Sequence, residues 1–275
     1  MKNLILQKII ENINFNELPY SWKNFDFESF SKNKKLYDFQ KKALENVLKV
    51  LWFYYEKAED FRENENLEVN EKRKEKLFKE YLDWGLRENE IDYKYKEEAK
   101  HKFIFEYYPL ENQKISFKHF INRASFWMAT GSGKTLVIIK IIELLKELIK
   151  SKEIPDYNIL FLTHREDLIK QFKKHLEEFN EVRNNKIIAY DFKEYEEVKR
   201  SLFNKENIFY YRSDLFSDEE KEKIVDFKSY YNDGKWFIIL DEAHKGDKEE
   251  SKRQHIFSIL SKNGFLFNFS ATFDD

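Results

Sequence analysis

An α/β fold, with helices on both faces of a mostly parallel sheet plus an inserted helical segment, is what the sequence predicts, and three observations predict it. From Ala124 onward, short apolar runs alternate with longer stretches that carry one polar face. The runs are of strand length and rich in β-branched and aromatic residues, as strands covered on both sides should be. The clearest intervening stretch, 133–150, sets Lys140, Glu143, Lys146, Glu147 and Lys150 in one polar stripe at 3.6-residue spacing. Such alternation implies a parallel sheet, and sheets of this kind bind ligands at the carboxyl ends of their strands.

Three regions follow in chain order. Residues 1–59 hold a helix expected over 37–58, because Leu44, Val47, Leu48, Leu51 and Tyr55 share one face. Residues 60–122 read as a charged, mainly helical insertion. Their one apolar cluster, Leu77, Phe78, Tyr81, Leu82 and Trp84, ends at Gly85, so a mostly solvated helical pair is expected between Asp60 and Lys102. It would serve as an appendage or as a docking surface for a partner subunit. Residues 123–275 carry the sheet. Strands are expected at Ser125–Ala129, Asn158–Thr163, Lys186–Ala189, Ile208–Tyr211, Trp236–Leu240 and Phe265–Phe269, with helices at 133–150, 165–180, 193–203, 217–230 and 248–261.

Composition removes several classes of protein. With 41% hydrophobic and 36% charged residues over 275 positions, the chain is too apolar for disorder and too charged for a membrane protein. Its longest apolar stretch, Leu136 to Ile149, is broken by four charges and cannot span a bilayer. Lys plus Arg total 49 and Asp plus Glu 51, a net charge of -2, which excludes a uniformly basic binder but leaves room for a local basic groove. The absence of cysteine excludes disulfides, a Cys-ligated zinc and a thiol nucleophile, and suits the reducing cytoplasm expected for it.

Two segments carry chemistry. Ala129-Thr130-Gly131-Ser132-Gly133-Lys134-Thr135 follows a strand and opens the firmest helix. Two glycines let the backbone curl and point successive N–H groups at a β-phosphate, helped by the positive end of the helix. Lys134 would reach the β- and γ-phosphates, and the Thr135 hydroxyl would hold Mg²⁺. Met128 stands where the full phosphate-loop pattern has its first glycine. The second segment is Trp236 to Leu240 running into Asp241-Glu242-Ala243-His244. Asp241 would hold Mg²⁺ through water, and Glu242 would orient and deprotonate the attacking water. His244 has no second His or Cys at metal-binding spacing and is not a zinc ligand.

With both motifs in this order, the sequence resembles the N-terminal RecA-like domain of superfamily 2 helicases and translocases with a DEAH-type second motif. Leu36-Tyr37-Asp38-Phe39-Gln40 is similar to an adenine-reading Q motif, in which Gln40 contacts the base edge and Phe39 flanks it. Thr163-His164-Arg165 resembles motif Ia, which grips a nucleic-acid backbone; Ser270-Ala271-Thr272 resembles motif III, which couples hydrolysis to strand movement, as His244 also would. Trp127-Met128-Ala129 into the loop, and Asp241 through Gly246, look most like the motor subunit of type III restriction enzymes. Tyr37, in place of that group's arginine, and the tract at Arg212 depart from its pattern.

The resemblance implies an ATP- and Mg²⁺-dependent DNA motor, with catalytic Lys134, Asp241 and Glu242 and backbone contacts to DNA from Thr163 and Arg165. It also implies a second RecA-like domain, and a methyltransferase or specificity subunit as a further partner. The second domain supplies an arginine worth roughly 10³ to 10⁵ in rate in related phosphoryl transfer. The 275-residue chain by itself is therefore expected to bind nucleotide weakly and hydrolyse it slowly. No restriction nuclease centre is legible in it. An RNA helicase fragment and a solitary nucleotide-binding or protein-interaction module remain the alternatives.

Overall fold

Six strands form one parallel sheet in the computed structural model, which describes residues 4–57, 67–87, 102–109, 114–200, 208–217, 224–241 and 250–271. In chain order the elements are α1 (Ile5–Glu11), α2 (Tyr20–Lys23), the β1–β2 hairpin (Ser29–Ser31, Lys34–Lys35), α3 (Asp38–Trp52) and α4 (Leu67–Asp83). There follow β3 (Arg123–Trp127), α5 (Lys134–Lys150), β4 (Asn158–Thr163), α6 (Glu166–Asn180), β5 (Ala189–Asp191), α7 (Tyr195–Arg200) and β6 (Ile208–Arg212). The chain then runs through β7 (Phe216–Ser217), β8 (Val225–Asp226), β9 (Trp236–Asp241), α8 (Glu250–Leu260) and β10 (Phe265–Ser270).

The large sheet has the order β3-β10-β9-β4-β6-β5, and every pair in it is parallel. Alternation along each strand divides the core in two. Phe161, Phe237, Ile239 and Phe267 face α3, α5 and α6, while Leu160, Leu162, Ile238 and Leu266 face α7, α8 and apolar residues of 104–120 and 216–227. Both faces are covered, which is why the strands are apolar throughout. The stripe expected on α3 is in place: Leu44, Val47, Leu48 and Leu51 are fully buried, and a π-helical turn, Phe53–Lys57, continues the helix with Tyr55 inside.

The insertion differs from the solvated appendage expected of it, as far as it is described. Helix α4 packs Leu77, Phe78 and Tyr81 inward, against Phe53 and Phe117. It also buries Asn70, Arg73 and Lys74. Asn70 donates to Asn263 Oδ1 at 2.8 Å and accepts from the Tyr54 hydroxyl at 2.9 Å, while the Lys74 ammonium donates to the Lys262 carbonyl at 2.6 Å. Arg73 lies over the rings of Tyr54 and Tyr55. Polar side chains that read as solvated in the sequence here form the seam between the insertion and the turn entering β10. The helical partner expected between Asp60 and Lys102 falls largely outside the described residues.

Two further expectations are corrected. Strand β5 starts at Ala189, because the Asn180 side chain at the end of α6 brackets Ile187, accepting its N–H and donating to its carbonyl at 2.8 Å each. No α-helix covers the described part of 217–230: Val225 and Phe227 are buried while Asp226 between them is only half-buried, and the Asp226 carboxylate caps a 3-10 turn at Lys228 N–H. A period of two won there over the helical reading. Helix α7 begins at Tyr195, after a 3-10 turn over Phe192–Glu194, and the last residues of the helix expected over 193–203 lie outside the described residues. Among the described residues no helix is long and apolar enough to cross a membrane.

Candidate functional site

Parallel register puts the carboxyl ends of all six strands on one edge, and the motif residues sit there. Trp127 pairs with Ser270, Phe269 with Asp241, and Thr163 with Arg212. The phosphate loop and Asp241 therefore open on the same rim. Their strands are not neighbours: β10 lies between β3 and β9, which sets the two strands about 10 Å apart by ordinary strand spacing. The Met128 N–H donates to the Ser270 carbonyl at 2.9 Å, so the end of β10 is tied to the start of the loop.

The loop is a tight turn into α5. Ser132 N–H donates to the Ala129 carbonyl at 3.1 Å, and Gly131 and Gly133 both hold φ +78°, a left-handed conformation that glycine adopts without strain. Gly133 caps α5, whose first turn carries no acid, so the positive end of the helix is uncompensated at the loop. Lys134 is half-buried and Thr135 is buried, both in that first turn; Ala129 and Thr130 are exposed. The Ser132 hydroxyl is buried with no hydrogen-bond partner among the described residues. Two glycines in the left-handed conformation, an unsatisfied hydroxyl and an amine at a helix N-terminus form a donor set that fits a polyphosphate.

Gln40 touches this loop. Its Nε2 donates to the Ser132 carbonyl at 2.7 Å and its Oε1 accepts the Tyr37 N–H at 2.9 Å, and the residue is 1% exposed. A Cβ on Gly133 would come within 2.5 Å of that same Nε2. Phe39, by contrast, is 52% exposed and stacks on Tyr37, with ring centroids 5.8 Å apart at 10°. Phe39 and Trp127 both line a cavity of about 840 Å³ that reaches Ala129 and Ser132 and runs along β3 toward α1 and α3. The sequence reading used Trp127 for the family resemblance and gave it no site role; a large aromatic directly before the loop was the available signal.

Asp241 is 4% exposed at the end of β9, with its backbone in register with Phe269. Glu242, His244 and Thr272 lie outside the described residues. Ser270 is wholly buried. Thr163 is wholly buried too, its hydroxyl without a partner among the described residues, so it does not present itself to a nucleic-acid backbone as expected. Arg165 precedes α6 at the surface, where its Nε donates to Asp167 at 2.8 Å and its Nη2 to the other oxygen of the same carboxylate. That guanidinium holds the Asp167 carboxyl below its usual range. Arg212, across the β4–β6 register, makes the same kind of pair with Asp214.

A family model described as "Type III restriction enzyme, res subunit" matches residues 33–275. No curated protein matches the chain.

Proposed function

Because the chain belongs to the type III restriction enzyme res subunit family, we propose that this helicase-like motor domain binds ATP with Mg²⁺ on the rim described above and uses its hydrolysis to move along DNA. The single observation that carries the reading is the convergence of the phosphate loop, Asp241 and Ser270 on one edge of a parallel sheet.

In this reading the backbone of Gly131 to Thr135 cradles the β-phosphate and Lys134 neutralises the charge that grows on the transferring group. Thr135 and Asp241 would hold Mg²⁺, which when bound shields the β- and γ-phosphate oxygens. Glu242 takes the proton of the attacking water. Ser270 is already bonded through its carbonyl to Met128 N–H, so a shift of the loop on hydrolysis is passed to β10 and on to Thr272; His244 sits in sequence beside the acids to do the same from β9. Arg165 supplies the contact with the DNA backbone. A second RecA-like domain closes over the nucleotide, and a methyltransferase or specificity subunit chooses the site on DNA.

Titration of the chain with Mg²⁺ and a non-hydrolysable ATP analogue tests this. Lys134→Ala should weaken binding by tenfold or more, each tenfold being about 1.4 kcal/mol. Asp241→Asn should retain analogue binding in the absence of Mg²⁺ and lose the added affinity that Mg²⁺ gives. Unchanged binding in Lys134→Ala would refute the proposal.

A further inference from the structure

We infer that Thr163 is a positioning residue for the metal side of the nucleotide site: its hydroxyl donates to the Asp241 carboxylate and holds it turned toward Mg²⁺. The inference rests on the nucleotide-binding reading above, and it gives Thr163 a role other than contact with nucleic acid.

Strands β4 and β9 pair in parallel as far as Leu162 and Leu240, and each runs one residue further, to Thr163 and Asp241. The two residues therefore end side by side, one strand spacing of about 4.8 Å apart. Alternation sends both to the face of Phe161 and Ile239, which is the face that α5 covers. Thr135, also proposed to hold Mg²⁺, is buried in the first turn of α5. On its other side Thr163 pairs with Arg212, which by the same alternation shares this face with Tyr210.

A hydroxyl needs an acceptor for its proton, and only one of these two neighbours offers it. The Arg212 guanidinium has donors alone and is engaged by Asp214. An ionised Asp241 has acceptors alone, with more lone pairs than a single metal contact uses. Thr163 itself is wholly buried, and its Oγ1 has no hydrogen-bond partner among the described residues. Burying such a hydroxyl disfavours the fold, and a valine would fill the same space without that penalty. The arrangement suits a hydrogen bond that forms as Asp241 turns to the metal. Groups that stand behind a metal ligand in this way fix its direction, and losing one weakens metal binding by roughly 10- to 100-fold.

The experiment measures binding of a fluorescent non-hydrolysable ATP analogue to the chain across a Mg²⁺ titration, in wild type, Thr163→Val and Thr163→Ser. Thr163→Val keeps the shape and removes the hydroxyl. It should raise the Mg²⁺ concentration needed for half of the affinity gain by about tenfold and leave affinity without Mg²⁺ unchanged. Thr163→Ser, which returns the hydroxyl, should restore most of the Mg²⁺ response. Urea unfolding without ligand should find Thr163→Val at least as stable as wild type, because no hydrogen bond among the described residues is lost. A Mg²⁺ response in Thr163→Val that matches wild type would overturn the inference, as would one that Thr163→Ser fails to restore. Loss of stability in Thr163→Val would mark a packing role and overturn it as well. A wild type whose analogue affinity ignores Mg²⁺, or an Asp241→Asn variant that responds to Mg²⁺ as wild type does, would instead strike the nucleotide-binding reading itself.

Discussion

Gly133 combines two constraints that Gly131 does not share. Both residues hold φ +78°, a conformation that costs a side-chain-bearing residue roughly 1–2 kcal/mol. A Cβ at 131 meets nothing within 4 Å, whereas one at 133 would lie 2.5 Å from Gln40 Nε2. Gly131→Ala should therefore incur the backbone cost alone. Gly133→Ala should in addition push Gln40 off the Ser132 carbonyl and lower affinity for an ATP analogue well below that of Gly131→Ala. Equal affinities in the two variants would mean that the Gln40 contact does not govern the loop. The glycines themselves were legible in the sequence, because their spacing before a Lys-Thr pair and a helix leaves few other uses for them. The inward turn of Gln40 was not: a glutamine at a helix start looks the same whether its amide faces a ligand or clamps a loop 92 residues away. The burial of Thr163 was no more legible, since the end of an apolar strand can be buried or open and only packing decides.

Helix α4 shows the limit of periodicity at the scale of an element. The central strands β4, β6, β9 and β10 could be placed from apolar pattern, because burial on both faces leaves few polar residues to confuse it, and α5 from its polar stripe. In α4 the buried side includes Asn70, Arg73 and Lys74, whose partners are backbone carbonyls, an amide and aromatic faces that sequence cannot bring together. Two predictions follow from that seam. Leu77, 1% exposed, should cost roughly 2–5 kcal/mol on truncation to alanine, measured by urea unfolding, where a solvated appendage would lose under about 0.5. The second concerns pH. Burial pulls the Lys74 ammonium down to about 7 from 10.5, against the pull of Glu71 and with Lys262, Arg123 and Arg73 adding to it. Below about pH 7 the folded state carries the full penalty of a buried charge; between about 7 and 10.5 it sheds the proton while the unfolded chain keeps it. Stability should thus rise with pH through that window. His119, held at about 4 by burial, acts in the same sense between about 4 and 6.5. Melting temperatures from pH 7 to 10 should climb in wild type and much less in Lys74→Met, Lys262 and Lys49 supplying the remainder because burial lowers their pKa values too. Parallel profiles for the two proteins would rule out Lys74 as the source.

For the molecule as a whole, the balance of charge limits how the DNA contact proposed above could be made. With 49 basic against 51 acidic side chains there is no general attraction to a polyanion, so binding must come from a few residues on the rim. Two arginines there are engaged by acids two positions away: Arg165 by Asp167 and Arg212 by Asp214. The first turn of α6 also carries Glu166 and Asp167, which offset the positive end of that helix before any phosphate arrives. Both pairs are partly exposed, and such pairs are worth about 1 kcal/mol or less, so a phosphate can compete for the guanidinium at small cost. Weak binding with a shallow salt dependence is the expected result, since few phosphates are neutralised. Arg165→Ala should reduce the slope of log affinity against log salt by about one and weaken binding to all sequences alike. Asp167→Asn should do the opposite, raising affinity at low salt by freeing the guanidinium and removing a repelling charge. Anisotropy titrations of a labelled duplex between about 50 and 200 mM salt, the range over which backbone contacts are lost most visibly, measure both. If neither substitution moves the curve, the rim beside β4 is not the face that meets DNA, and the motor must hold its track on another surface.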